Sequence, residues 1–143
     1  MNNSRLAVGV HVLTLLEHMD GGPLASDSIA GSVNTNPVVV RRILSMLARA
    51  GLVTSTTGPG GGTRLARPVD EVTLLDVYHA VEQGDLFGAH PSQPNPNCPV
   101  GRHIQAALDQ HLDRATRALH HSLAQVTIAS IVRSVTARES RSA

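Results

Sequence analysis

A chain of 143 residues, 41% of them apolar, suffices for one ordinary domain with an appended element. With only Tyr78 and Phe87 aromatic and one cysteine, stacking platforms for single-stranded nucleic acid and an internal disulfide are both excluded. The net charge of +1 hides an uneven distribution: residues 34–68 hold Arg41, Arg42, Arg49, Arg64 and Arg67 and no acid, the footprint of a polyanion site.

The first expected element is a helix over 4–19, apolar nearly all round and therefore covered on several sides. Its apolar stretch contains His11 and Thr14, runs into Glu17 and lacks a small-residue cleavage site. It reads as a helix rather than a signal peptide, and the expected location is the cytoplasm. Glycines and Pro23 end it. A short second helix is expected from Ser26 as N-cap, with Asp27 complementing the dipole and Ile29 and Val33 facing the core. Then comes "NPVVVRRILSMLARAG", with Asn36 as N-cap, Pro37 at the first helical position and Gly51 as the stop. Val40, Ile43, Leu44 and Leu47 follow the i, i+3, i+4, i+7 pattern and must point inward. That leaves Val38, Arg42, Ser45 and Arg49 outward, flanked by Val39, Arg41 and Met46. Two short helices joined by a tight turn, the second basic outside, predict a helix-turn-helix.

"TTGPGGGTRLARP" follows, with four glycines in five positions. The run fails as a nucleotide cradle: the chain has no lysine for a Walker loop, and Thr63 stands where a dinucleotide fingerprint needs glycine. The β-prone stretches 52–56 and 63–66 around it predict a hairpin, which makes the whole a winged helix. A fourth helix is expected over about 73–83. Prolines and asparagines then mark an exposed loop over 84–98. A long helix over 99–126 has apolar residues at Ile104, Leu108, Leu112, Ala115, Leu119, Leu123 and Val126, a 4-4-3 spacing that gives a nearly straight seam. Its natural partner is the same helix in a second copy. A last short helix over 128–135 and a disordered tail over 136–143 complete the chain. The expected domains are a DNA-binding head over 1–83, the loop, a dimerisation region over 99–135 and the tail.

The stretch "NTNPVVVRRILSMLARAGLVTSTTGPGGGTRLARPVDEVTLLDVYHAVE", with "SDSIA" before it and "CPVG" and "LAQVTIASI" after, resembles the Rrf-two family of bacterial winged-helix transcriptional regulators. The resemblance implies a mainly α protein with a small β-hairpin wing and a long C-terminal dimerisation helix. It implies a homodimer that binds operator DNA, and the leading expectation is a sequence-specific repressor or activator, with repressor favoured, acting on a palindromic operator. Carried onto this chain, Asn36, Val38, Arg41 and Arg42 would read bases, Ser26 and Ser28 would meet phosphate, and Thr57 with the glycine backbone at Gly58 and Gly60 would approach the minor groove or phosphates. Independently of the resemblance, Ser45 lies on the outer face of the basic helix and Arg64 supplies charge on the returning strand. The arginines can pair with guanine or grip phosphate, and Val38 can meet a thymine methyl.

Two departures stand out. Many members carry an arginine where this chain has Thr57, and the cluster-binding branch needs three cysteines where this chain has Cys98 alone. The expectation is therefore no cofactor and no metal, with the effector unassigned. Cys98 precedes a helix N-terminus, which favours a reactive thiolate and a redox switch; the plainer reading, a half-buried cysteine without a signalling role, is preferred because the chain holds no resolving partner. The eight histidines match no zinc spacing, and no Cys-His pair has an orienting third group, so no enzyme is expected. The competing functions are a winged helix used for protein assembly and an iron–sulfur or metal-dependent redox sensor.

Overall fold

The structure is a computed structural model, and it describes residues 4–143. It contains six helices and one hairpin among those residues: α1 (Ser4–His18), α2 (Ser26–Val33), α3 (Pro37–Arg49), β1 (Val53–Thr56), β2 (Gly62–Leu65), α4 (Leu74–Val81), α5 (Pro99–Ala124) and α6 (Ile128–Ser142). The elements group into two compact units. One runs to Gln83 and takes in Ala124–Ala143; the other is Gly84–Leu123.

In the first unit α1 is the central helix, in contact with α2, α3, α4, α6 and β2. That is why its sequence is apolar on nearly every side: Val12, Leu13 and Leu16 are buried, and Leu6, Val8, Val10 and Leu15 pack around the same core. Each such fully buried aliphatic side chain contributes about 1.5–3 kcal/mol relative to leaving it in water. Val40, Ile43, Leu44 and Leu47 are the inward face of α3, as their spacing requires. Asn36 caps α3 by accepting the Val38 N–H at 2.8 Å. At the other end the Gly51 N–H donates to Ala48 O and the Leu52 N–H to Leu47 O, both at 3.0 Å, which satisfies two otherwise orphaned carbonyls. Helix α4 starts in a capping box, Thr73 accepting from the Asp76 N–H and the Asp76 carboxylate from the Thr73 N–H.

The hairpin pairs antiparallel in the register Val53↔Leu65, Thr54↔Arg64, Ser55↔Thr63, Thr56↔Gly62. Leu24 adds a third, single-residue rung, its N–H donating to Thr63 O at 3.0 Å and its carbonyl accepting from the Thr63 N–H at 2.8 Å. Thr63 is thereby buried in the middle of the wing, its hydroxyl 3.2 Å from that of Ser55. This tie binds the wing to the α1–α2 connection.

Three expectations are corrected. Ser26 is not the N-cap of α2: Ala25 holds that position and makes no side-chain cap, so Ser26 sits in the first turn. The tail over 136–143 is not irregular, because α6 continues to Ser142. Ile128, Ile131, Val132 and Val135 form a helical stripe that carries α6 against α1, and once a helix is nucleated its polar residues extend it at little cost. Finally, the terminal helix belongs with the head and not with α5. Ile128 is fully buried in the head core, and the Ile128 N–H donates to Val72 O while the Leu74 N–H donates to Val126 O.

The second unit is the loop from Gly84 and helix α5. The loop folds onto the first turns of α5: the Arg102 Nε donates to Pro96 O at 2.9 Å, and His90 Nδ1 lies 3.1 Å from the Gln105 side-chain oxygen. No residue of α5 is buried within the chain.

Candidate nucleic-acid interface

The first turn of α3 is set by its cap. With the Asn36 oxygen occupied by the Val38 N–H and Pro37 holding the backbone in helical geometry, the helix emerges with Val38 and Val39 exposed. One turn later Arg41 and Arg42 stand exposed, followed on the same outer side by Ser45 and Arg49. Their inward neighbours anchor the helix so firmly in the core that this face cannot turn away from solvent. Among the described residues the ion pair is Arg5 Nε–Glu82 Oε1 at 3.7 Å, and it leaves Arg41, Arg42, Arg49 and Arg64 without an acidic partner. Several unneutralised guanidinium groups on one small surface repel one another, a cost that an approaching polyanion would remove.

The wing separates its glycines into two kinds. Gly58 and Gly60 have φ of 87° and 75° and open space where a Cβ would be, so they form the tip with nothing above them. Gly61 and Gly62 are packed: a Cβ on Gly61 would lie 2.6 Å from Thr56 O, and one on Gly62 2.7 Å from Leu24 O. The first pair leaves the tip backbone open to an outside partner, while the second keeps the hairpin closed on Leu24. Thr57 is exposed at the start of the tip. Arg64 is exposed on β2 opposite Thr54. Arg67 is less available than the sequence suggested, since its Nη2 donates to Glu71 O at 3.0 Å.

Of the remaining site candidates, Ser28 is exposed and Ser26 half-buried in the first turn of α2. Ser26, Ser28, Asn36, Val38, Arg41, Arg42, Ser45, Thr57, Gly58, Gly60 and Arg64 all lie in the first unit, on α2, α3 and the wing. Cys98 lies in the other unit, half-buried immediately before α5, its N–H donating to Asn95 O at 3.2 Å and its carbonyl accepting from the Arg102 N–H at 2.8 Å. Sequence reasoning missed a groove of about 800 Å³ between α1 and α6, lined by residues such as Leu6, Val10, Leu15, Ile131 and Val135. An expectation of disorder had been placed where α6 forms one of its walls.

Residues 2–134 match the family model Rrf2, described as an iron-dependent transcriptional regulator. The chain belongs to the Rrf2 family. Among curated Rrf2-like relatives it is 46% identical over 133 residues to YwnA of Bacillus subtilis strain 168, named as an HTH-type transcriptional regulator, covering 92% of this chain and 97% of the relative. A solved structure described as a DNA-binding protein superposes with TM-score 0.72 at 42% identity, covering 90% of this chain and 98% of the other. A transcriptional regulator from Lactobacillus plantarum superposes with TM-score 0.76 at 26% identity, covering 93% and 90%.

The family's description names iron, and the described residues do not group as a set of ligands for it. Cys98 is the sole cysteine of the sequence, and among the described residues no three His, Cys, Asp or Glu side chains converge. A cluster held by thiolates needs more sulfur than one chain offers. His11 is instead 2.8 Å from the Ser32 hydroxyl and His90 is engaged with Gln105.

Proposed function

We propose that this protein is a sequence-specific DNA-binding transcriptional regulator that works as a homodimer and represses by occupying a palindromic operator. The observation that carries the reading is the outer face of α3. Its arginines are exposed and lack acidic partners, its inner face is locked in the core, and an open glycine tip stands beside it on the wing. In that arrangement α3 enters the major groove, Arg41 and Arg42 meet guanine edges or phosphates, and Thr57, Gly58, Gly60 and Arg64 approach the flanking backbone. Ser26 and Ser28 donate to phosphate from α2. The roles named for the relatives, a transcriptional regulator and a DNA-binding protein, support the same reading. Dimerisation runs through α5, whose seam of Ile104, Leu108, Leu112, Ala115, Leu119 and Leu123 is nowhere fully buried in its own chain. The protein is not an enzyme, acts in the cytoplasm and carries no iron–sulfur cluster, in keeping with its single cysteine. No helix among the described residues is long and apolar enough to cross a membrane.

The test is selection of duplexes from a random library, followed by affinity measurement across a salt series. The expected result is a palindromic site whose binding constant falls steeply and linearly on a log–log salt plot. Failure to bind any duplex at low salt would leave the rival, a winged helix that meets an acidic protein, as the better account.

A further inference from the structure

Resting on the reading that α3 faces duplex DNA, we propose that Val38 and Val39 form a methyl-reading pair that recognises the C5-methyl groups of thymine at the operator. Both valines are exposed, Val38 at 55% and Val39 at 41%, on the first turn of the helix that the core holds outward. Their neighbour Asn36 has a side chain of the kind that can read adenine. Its amide oxygen accepts the Val38 N–H at 2.8 Å, so one of that oxygen's two lone pairs is engaged in capping the helix. The first turn of α3 itself carries only apolar side chains, and of these Val38 and Val39 are exposed.

In the major groove the thymine methyl is the apolar feature of the base-pair edges, so an apolar surface there discriminates by methyl contact. Valine suits this because its branched side chain is stiff at χ1 and loses little freedom when it docks. Arg42 follows Val38 and Val39 by one turn on the same side. At about 1.5 Å of rise per residue the valines stand roughly 4.5–6 Å from it along the helix axis, within about two base-pair steps of its contact. The operator half-site should thus carry one or two methyl-bearing thymines next to the pair that the arginines meet.

The experiment uses the full chain and duplexes it selects from a random library, resynthesised with uracil replacing each thymine in turn. Loss of one buried methyl should weaken binding about fourfold at one or two positions of each half-site, and 5-methylcytosine paired with guanine should retain more affinity there than cytosine. In Val38→Ala or Val39→Ala the thymine–uracil difference at those positions should disappear, with the salt dependence unchanged. Both variants are expected to fold, since alanine favours an exposed helical position, and circular dichroism checks this. Equal binding of uracil and thymine at every position, or a thymine preference that survives in both variants, would overturn the methyl reading while leaving the DNA-binding function intact. If no duplex is selected at all, both readings fall.

Discussion

Asn36 shows how one side chain can serve the fold and shape the site at once. Its oxygen caps α3, so Asn36→Ala should cost about 1 kcal/mol of stability, read as a lower midpoint in denaturant unfolding. Arg42 has the opposite character. It is exposed, lacks an acidic partner and contributes nothing visible to the core. Arg42→Ala should leave the unfolding midpoint nearly unchanged, weaken operator binding, and reduce the salt slope by about 1 if the guanidinium grips phosphate. If it instead reads guanine, the same variant should relax preference at one base pair by about 1–3 kcal/mol, which binding to single-base operator variants would reveal. The two outcomes separate positioning from reading at the same residue. Both roles were legible from the spacing of "NPVVVRRILSMLARAG", because capping and helical periodicity are local properties. The Arg67–Glu71 hydrogen bond was not, since it depends on how the loop after β2 turns back.

Among the elements, the wing carries its two kinds of glycine for different reasons. At Gly62 a Cβ would collide with the Leu24 backbone at a φ of 135°, whereas at Gly58 it would meet open space at a φ of 87°. Gly62→Ala should therefore lower the melting temperature markedly, and by more than the roughly 1 kcal/mol expected of backbone strain alone at Gly58→Ala. Gly58→Ala should show its effect chiefly in DNA affinity, and thermal scans beside binding titrations distinguish the two. The hairpin itself could be anticipated from β-branched residues around a glycine run. The third rung at Leu24 could not, because an isolated bridge has no sequence period. Helix α6 makes a similar point. Its stripe of Ile128, Ile131, Val132 and Val135 was readable, but its continuation to Ser142 through a polar, low-hydropathy segment looked like disorder by composition. Ile128 is fully buried, so Ile128→Ala should destabilise the head by about 2–5 kcal/mol although it lies far along the chain from the DNA-facing elements.

For the whole molecule, a head that presents α3 and the wing joins in sequence to a long helix whose apolar seam has no fully buried residue. Placing charges in that seam, with Leu112→Glu and Leu119→Glu together, should convert the protein to monomers in sedimentation experiments while the head unfolds at its usual temperature. Operator affinity should then fall by about a hundredfold or more, because two linked half-site contacts become independent ones. A variant that stays dimeric would place the interface elsewhere. By itself the sequence determined the element types before residue 136, the inward face of α3 and the acid-free arginine block. Each of these follows from local periodicity, turn chemistry or simple counting. Only the tertiary structure decided that Leu24 locks the wing, that Gly61 and Gly62 are packed against backbone while Gly58 and Gly60 face open space, and that α6 returns to complete the head. Those facts depend on which distant backbone segments meet, and close approach between residues far apart in the chain leaves no periodic trace in a single sequence.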